Sequence, residues 1–284
     1  MTDIRYFLFD VESVADGDLI SRVRYPEMEV TPEEAIQRYR EERLEKTGSD
    51  FIPYTHQIPI SVVIAKVREN FELVDLVTLD DPEYRPHVIA KHFWVGWQKY
   101  NRPTLVTFNG RSFDVPLMEL AAFRYGISIP EWFGGQASYE KPRNRFNTNA
   151  HFDLQDLLTN FSATRFNGGL NLAAMAVGKP GKMEIQGHMV QDLYNEGRIK
   201  EINEYCKCDV LDTYFVFLRA KVMTGHLELD RELELVAKTK VWLEERVGES
   251  EAYASYLEQW DDWRNPWVED AAEPESAQTE TDAA

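Results

Sequence analysis

Cysteine is scarce in this chain of 284 residues. The two that occur, Cys206 and Cys208, are one residue apart. That spacing suits a disulfide poorly, and two thiols cannot complete a zinc site. The expectation is a reducing, cytoplasmic setting without structural bridges. Long apolar runs are also lacking, which argues against a bilayer-spanning helix. The first residues, MTDIRYFLFD, have no basic region ahead of a cleavable apolar core, so no leader peptide is expected. No internal repeat is visible. Positive charge is in short supply: 31 lysines and arginines face 49 acids, a net charge of −18. Residues 261–284 alone hold eight acids against one arginine. A protein that coats nucleic acid needs a positive surface, so that class is disfavoured. An enzyme that releases its substrate after each turnover is compatible with weak bulk attraction.

What is present begins with YFLFDVESV, residues 6–14. It reads as a buried strand ending in Asp10 and Glu12. Side chains two apart share a face, so both carboxylates aim at one small volume. Like charges that close repel, and partial burial raises the cost. Either a positive partner sits between them or they face open water.

Residues 15–57 read as an inserted connection. Thr31-Pro32-Glu33-Glu34 has the marks of a helix start, with Thr31 as cap, Pro32 in the first turn and Glu34 closing a capping box. That helix should run to about Thr47 and end at Gly48. ISVVIAKV (60–67) and ELVDLVTL (72–79) should form a hairpin of strands. Helical spacing follows over 86–100, a buried strand at TLVTFN (104–109), and a helix over 115–126 closed by Gly126. AHFDLQDLL (150–158) mixes a short strand with a helix start, and 170–178 is a short helix. A long helix spans 198–223. Further helices are expected from Leu229 to Val247 and from Glu249 to Trp263. The last stretch, AAEPESAQTETDAA, has the composition of a disordered tail. The pattern predicts one α/β domain with a mixed sheet over 1–224, a helical extension over 225–267 and an acidic tail over 268–284.

Two more carboxylate clusters follow. In TFNGRSFDVPLM (107–118) a strand ends in a turn and Asp114 opens a helix. Asp114 as a simple helix cap and Asp114 as a functional carboxylate are both open readings. In INEYCKCDVLDTYFVF (202–217), Ile202, Cys206, Val210 and Phe217 form an apolar stripe, and Tyr205 and Asp209 lie four apart beside it. Asp209 therefore points toward the protein. Asp212 reads equally well as a surface residue.

In order along the chain, FDVES, NGRSFD and YCKCD resemble the three motifs of the DEDD exonuclease superfamily, tyrosine subgroup. The closest likeness is to predicted 3′–5′ exonucleases related to the proofreading domains of family-B DNA polymerases. The resemblance covers roughly residues 4–220. It implies a ribonuclease H-like sheet flanked by helices, and removal of nucleotides from single-stranded 3′ ends. It also implies two divalent cations, Mg²⁺ or Mn²⁺, which suit oxygen-only ligands. Asp10, Glu12 and Asp209 would bind one, with Asp10 bridging to a second held by Asp114. Tyr205 would orient the attacking water, and Glu12 could also meet the terminal 3′ hydroxyl. Asn109 and Phe113 would lie near the terminal nucleotides, although Phe113 reads equally as core.

Three features stay open. EKPRNRF (140–146) offers Arg143 and Arg145 to backbone phosphates, or is a plain surface loop. His151 and Asp153 have the look of structural hydrogen-bonding groups. Trp260, Trp263 and Trp267 either close onto the domain itself or dock a protein partner. An RNA-trimming enzyme and a non-catalytic nucleic-acid-binding module remain as rivals. The second should have lost a ligand, and none is missing. Because nothing after Trp267 can fold or ligate, ending the chain there should leave nuclease turnover nearly unchanged. A large fall at matched stability would show that the tail regulates the enzyme.

Overall fold

A computed structural model describes residues 3–181 and 187–269 of the chain. Five strands form one sheet: β1 (Ile4–Ala15), β2 (Gln57–Arg68), β3 (Leu73–Thr78), β4 (Thr104–Thr107) and β5 (His151–Asp153). Their spatial order is β3-β2-β1-β4-β5. β2 runs antiparallel to β1 and β3, whereas β4 and β5 extend the sheet in parallel. The sheet is mixed, as the sequence predicts, and consistent with a ribonuclease H-like fold.

The helices between and after the strands are α1 (Gly17–Arg24), α2 (Pro32–Thr47), α3 (Pro86–Lys99), α4 (Asp114–Tyr125), α5 (Pro130–Phe133), α6 (Leu154–Thr159), α7 (Gly169–Ala176), α8 (Val190–Asn195), α9 (Ile199–Met223), α10 (Leu229–Glu244), α11 (Glu251–Glu258) and α12 (Pro266–Glu269). α2 starts and stops where its caps dictate. Thr31 accepts from the Glu34 amide, Glu34 reaches back to the Thr31 amide, and Gly48 takes the left-handed conformation.

β1 lies at the centre and is covered on both faces, so its alternation sorts the core into two. Phe7, Phe9 and Val11 pack against α3 and α4, among Phe93, Trp94, Trp97, Leu117 and Met118. The buried indole N–H groups of Trp94 and Trp97 donate to the Met118 and Pro103 carbonyls, each at 3.0 Å. Leu8 faces the other way, into a cluster with Cys206, Val210, Tyr214 and Phe217 of α9. Asp10 and Glu12 continue that face, so α9 must lie across them. Losing a ring such as Phe217 from this layer would cost about 3–5 kcal/mol.

The second half of α9 is buried nearly all round, from Val210 to Leu218. α10 and α11 cover its outer side. This settles Asp212: it is fully buried, not on the surface, and its Oδ1 accepts a 2.6 Å hydrogen bond from the Tyr256 hydroxyl. Burial lifts its carboxyl to about 7.

The expected helix over 249–263 is shorter than its pattern suggests, because α11 stops at Glu258. The chain beyond is held by side chains instead. Lys179 donates to the Asp261 carbonyl at 3.0 Å and lies 4.0 Å from the Trp260 ring centre. Arg219, paired with buried Glu232, stacks 4.1 Å over Trp263. Gly178 sits beneath this segment at φ +69°, where a Cβ would come within 2.5 Å of the Trp263 nitrogen. Trp260 and Trp263 thus close onto the chain itself, while Trp267 is exposed. Of the tail expected over 268–284, Val268 and Glu269 belong to α12, and the rest lies outside the described residues.

Cys206 and Cys208 are both buried free thiols. Tyr256→Phe should expose the cost of Asp212. With its hydroxyl partner gone, a buried carboxylate loses a charge-assisted bond, and stability should fall by about 1–3 kcal/mol. Urea unfolding of the two proteins measures this; coincident curves would show that Asp212 draws no support from Tyr256.

Candidate active site

The four carboxylates of the predicted set arrive on three elements. Asp10 and Glu12 come from the end of β1, where the register with β2 slips between Glu12 and Ser13. Such a bulge re-aims the side chains that follow it. Asp209 comes from α9, one turn after Tyr205, on the part of the helix that crosses β1. One oxygen from each of Asp10, Glu12 and Asp209 lies within 4.8 Å of the others.

Asp114 reaches the same place by another route. β4 ends at Thr107, and Asn109 turns the chain with φ +65°. Gly110 then passes so close to Thr107 that a Cβ would meet its side chain at 2.5 Å, which only glycine permits. Asp114 begins α4 but does not cap it, since Phe113 holds that position. Its Oδ1 accepts the Val11 amide at 3.0 Å, between Asp10 and Glu12 in the strand. The cap reading is therefore overturned: Asp114 is tied to the carboxylate strand.

The turn of the second motif is pinned by groups that sequence reasoning left in the background. Asp153, at the end of β5, accepts from the Asn109 and Arg111 amides at 3.1 and 2.8 Å and caps α6. Arg111 answers with bonds to Asp156 and to the His151 carbonyl. His151 is buried against Thr107, and burial lowers its pKa to about 3, so it stays neutral. Their structural reading agrees with this geometry. Arg111 was not singled out in the sequence; its place inside NGRSFD, two residues after Asn109, was the available signal.

The electrostatics follow from crowding. Burial raises all four carboxyls, and neighbouring charge adds to it in Glu12, Asp114 and Asp209. Asp10 rises to about 6, mainly through desolvation, with a Cys206 thiol 3.7 Å from its Oδ2 partly offsetting this. Glu12, Asp114 and Asp209 are pushed well above the ordinary range, by desolvation first and by Asp10 next. Tyr205 is driven far up as well, by burial and then by Asp209, Glu12 and Asp10, and it hydrogen-bonds to Asp209. Its phenol stays protonated at any physiological pH. Among the described residues, Asp10, Glu12 and Asp209 take part in no salt bridge. An all-oxygen set that repels itself fits a hard divalent cation and fits zinc poorly.

Glu12 also lines a cleft of about 1050 Å³ with Asn109, Ser112 and Phe113. Arg143 and Arg145 do not line it. Arg143 is bonded to Glu119 at 2.9–3.1 Å, and Arg145 lies 5.3 Å over the Phe146 ring.

These shifts predict how Asp10→Asn behaves without metal. The Asp10 carboxyl titrates near 6 in the fold and near 3.8 as a free group. The folded chain therefore holds more protons between those values, and wild-type stability is lost as pH rises through that window. Asp10→Asn escapes this. It should gain on the wild type by about 2–3 kcal/mol between pH ~4 and ~7. Mn²⁺ should reverse the order, raising the wild-type midpoint more. Denaturation curves at both pH values decide; a gap independent of pH and metal would remove Asp10 from the site.

The chain matches a family described as a predicted 3′-5′ exonuclease related to the exonuclease domain of PolB, over residues 49–260. None of the curated proteins compared with it is similar. Asn109, Phe113, Asp114, Tyr205 and Asp209 fall within the matched span. Asp10 and Glu12 precede it, and the fold brings them to the same point. With the match extending over more than half its length, the chain belongs to this family of predicted 3′–5′ exonucleases related to the PolB exonuclease domain.

Proposed function

We propose that this protein removes nucleotides from the 3′ end of single-stranded DNA by two-metal-ion phosphodiester hydrolysis. The observation that carries the reading is the convergence of Asp10, Glu12 and Asp209, with Asp114 anchored between the first two and Tyr205 beside the third. Asp10, Glu12 and Asp209 would hold one divalent cation, and Asp10 with Asp114 the other. When bound, Mg²⁺ or Mn²⁺ makes water acidic enough to attack and neutralises the leaving oxygen.

The residues of the chain have the remaining tasks. Four carboxyls that keep protons when alone release them as metal binds, so metal affinity should rise with pH. In the metal-free site burial first, and then the charges of Asp209, Glu12 and Asp10, keep the proton on the Tyr205 phenol. Tyr205 orients the water through its hydroxyl. Glu12 would meet the terminal 3′ hydroxyl, and Asn109 and Phe113 line the cleft where the last nucleotide would lie. Arg143 is already committed to Glu119 and is a poor phosphate ligand here.

The deciding assay uses DNA and RNA strands labelled at either end, with Mg²⁺, Mn²⁺ or Ca²⁺. A 5′-labelled DNA strand should shorten stepwise with the first two ions and hardly at all with Ca²⁺, which is larger and looser in geometry. Immediate release of a labelled mononucleotide from the 5′ end would refute the direction, and faster shortening of RNA would reassign the substrate. Tyr205→Phe should lower single-turnover rates about a hundredfold. The Mn²⁺-induced rise in its melting temperature should stay that of the wild type. Wild-type rates would make Tyr205 a packing residue.

A further inference from the structure

The inserted connection between β1 and β2 is a folded unit placed at the cleft. Ile20, Tyr25, Ala35, Tyr39 and Ile52 form a small core of their own. Arg24 lies 4.1 Å over the Tyr39 ring and pairs with Glu42, which also accepts from the Tyr25 hydroxyl at 2.8 Å. The unit is tied to the carboxylate strand. Ser13 bonds to the Gln57 side chain, whose amide donates to the Ile52 carbonyl. At the unit's other corner Asp16 pairs with Arg124 of α4.

These ties place two side chains of the insertion on the cleft wall, one of them in ring contact with the second motif. Phe51 is more than half exposed although it sits beside buried Ile52. Its ring centre is 6.0 Å from that of Phe113, at 50° between planes. Arg40 also lines the cleft, and among the described residues around it Arg40 is the one lysine or arginine. Its own partner, Asp50, is 3.6 Å away and well exposed. That pair is long and solvated, so the Arg40 guanidinium is free to take an anionic ligand in the cleft.

We propose that the insertion is the second jaw of the substrate cleft. Phe51 stacks on one of the last two bases of the strand, beside Phe113, and Arg40 contacts a backbone phosphate. This deepens the exonuclease reading and rests on it. Stacking needs an unpaired base and tolerates any base, since each has a π-face. The jaw would therefore select frayed or single-stranded ends irrespective of sequence. Holding Phe51 on a unit with its own core keeps the platform in place before substrate arrives, which spares ordering cost on binding.

The test measures anisotropy of 5′-labelled single-stranded DNA in Ca²⁺, which reads binding without turnover. Three strands are compared: natural, abasic at the last position and abasic at the one before. Phe51→Ala should weaken binding of the natural strand about tenfold. With one of the two abasic strands the same substitution should have almost no effect, because the base it served is gone. Phe51→Tyr should restore the wild-type value. Arg40→Gln should weaken all three strands alike and reduce the salt dependence by roughly one phosphate contact. Equal loss from Phe51→Ala on all three strands would mean a structural role and overturn the proposal, as would no loss on any. Those outcomes with an active wild type leave the exonuclease reading standing. A wild type that neither binds nor shortens a strand defeats both.

Discussion

Four carboxylates crowded into one site dominate this molecule. Asp10, Glu12, Asp114 and Asp209 are all held where desolvation and mutual repulsion disfavour their charges. A fold tolerates that only if other contacts compel it. Here the compulsion is mechanical. β1 is the central strand with apolar layers on both faces, α9 lies across it, and Asp114 is bound to its backbone. None of the four can leave without breaking core packing or a buried hydrogen bond. Under the proposed function, the stability given up along β1 is affinity that a divalent cation would recover.

The rest of the structure reads as support for that end of the sheet. The sharp turn after β4 is kept in shape by Asp153 and Arg111. α9 is clamped from outside by α10 and α11, and the chain beyond is fastened through Lys179, Arg219 and two tryptophans. Tyr205 inherits its orientation from this clamping, because a residue one turn from Asp209 cannot move independently of it. The insertion closes the opposite side of the cleft while keeping its own small core.

Several features were open to reading from local rules. The boundaries of α2 and α4 follow from Thr31, Glu34, Gly48 and Gly126, whose effects act over a single turn. The period of two in YFLFDVES places Asp10 and Glu12 on one face regardless of the partner strand. The four-residue interval from Tyr205 to Asp209 puts both on one side of a helix. Local rules misled where distant segments intervened. The helix pattern over 249–263 extends past Glu258, but cation–ring contacts with residues far back in the chain hold the end extended. Asp212 looked free because the helices that bury it lie later in the sequence.

The sequence by itself determined the order of the parts: three short carboxylate motifs, a tyrosine one turn before the last aspartate, and strands alternating with helices. Tertiary structure alone decided which acids meet. Asp10 and Asp209 are nearly two hundred residues apart, and no interval between them encodes a distance. It also decided that Asp114 bonds to Val11 instead of capping α4, and that Phe51 and Arg40 face the cleft. The physical reason is the same in each case. Helix caps and strand alternation depend on neighbours within a turn or a pleat. A charge cluster, a stacking pair or a cleft wall depends on how whole faces are driven together when apolar surface leaves water.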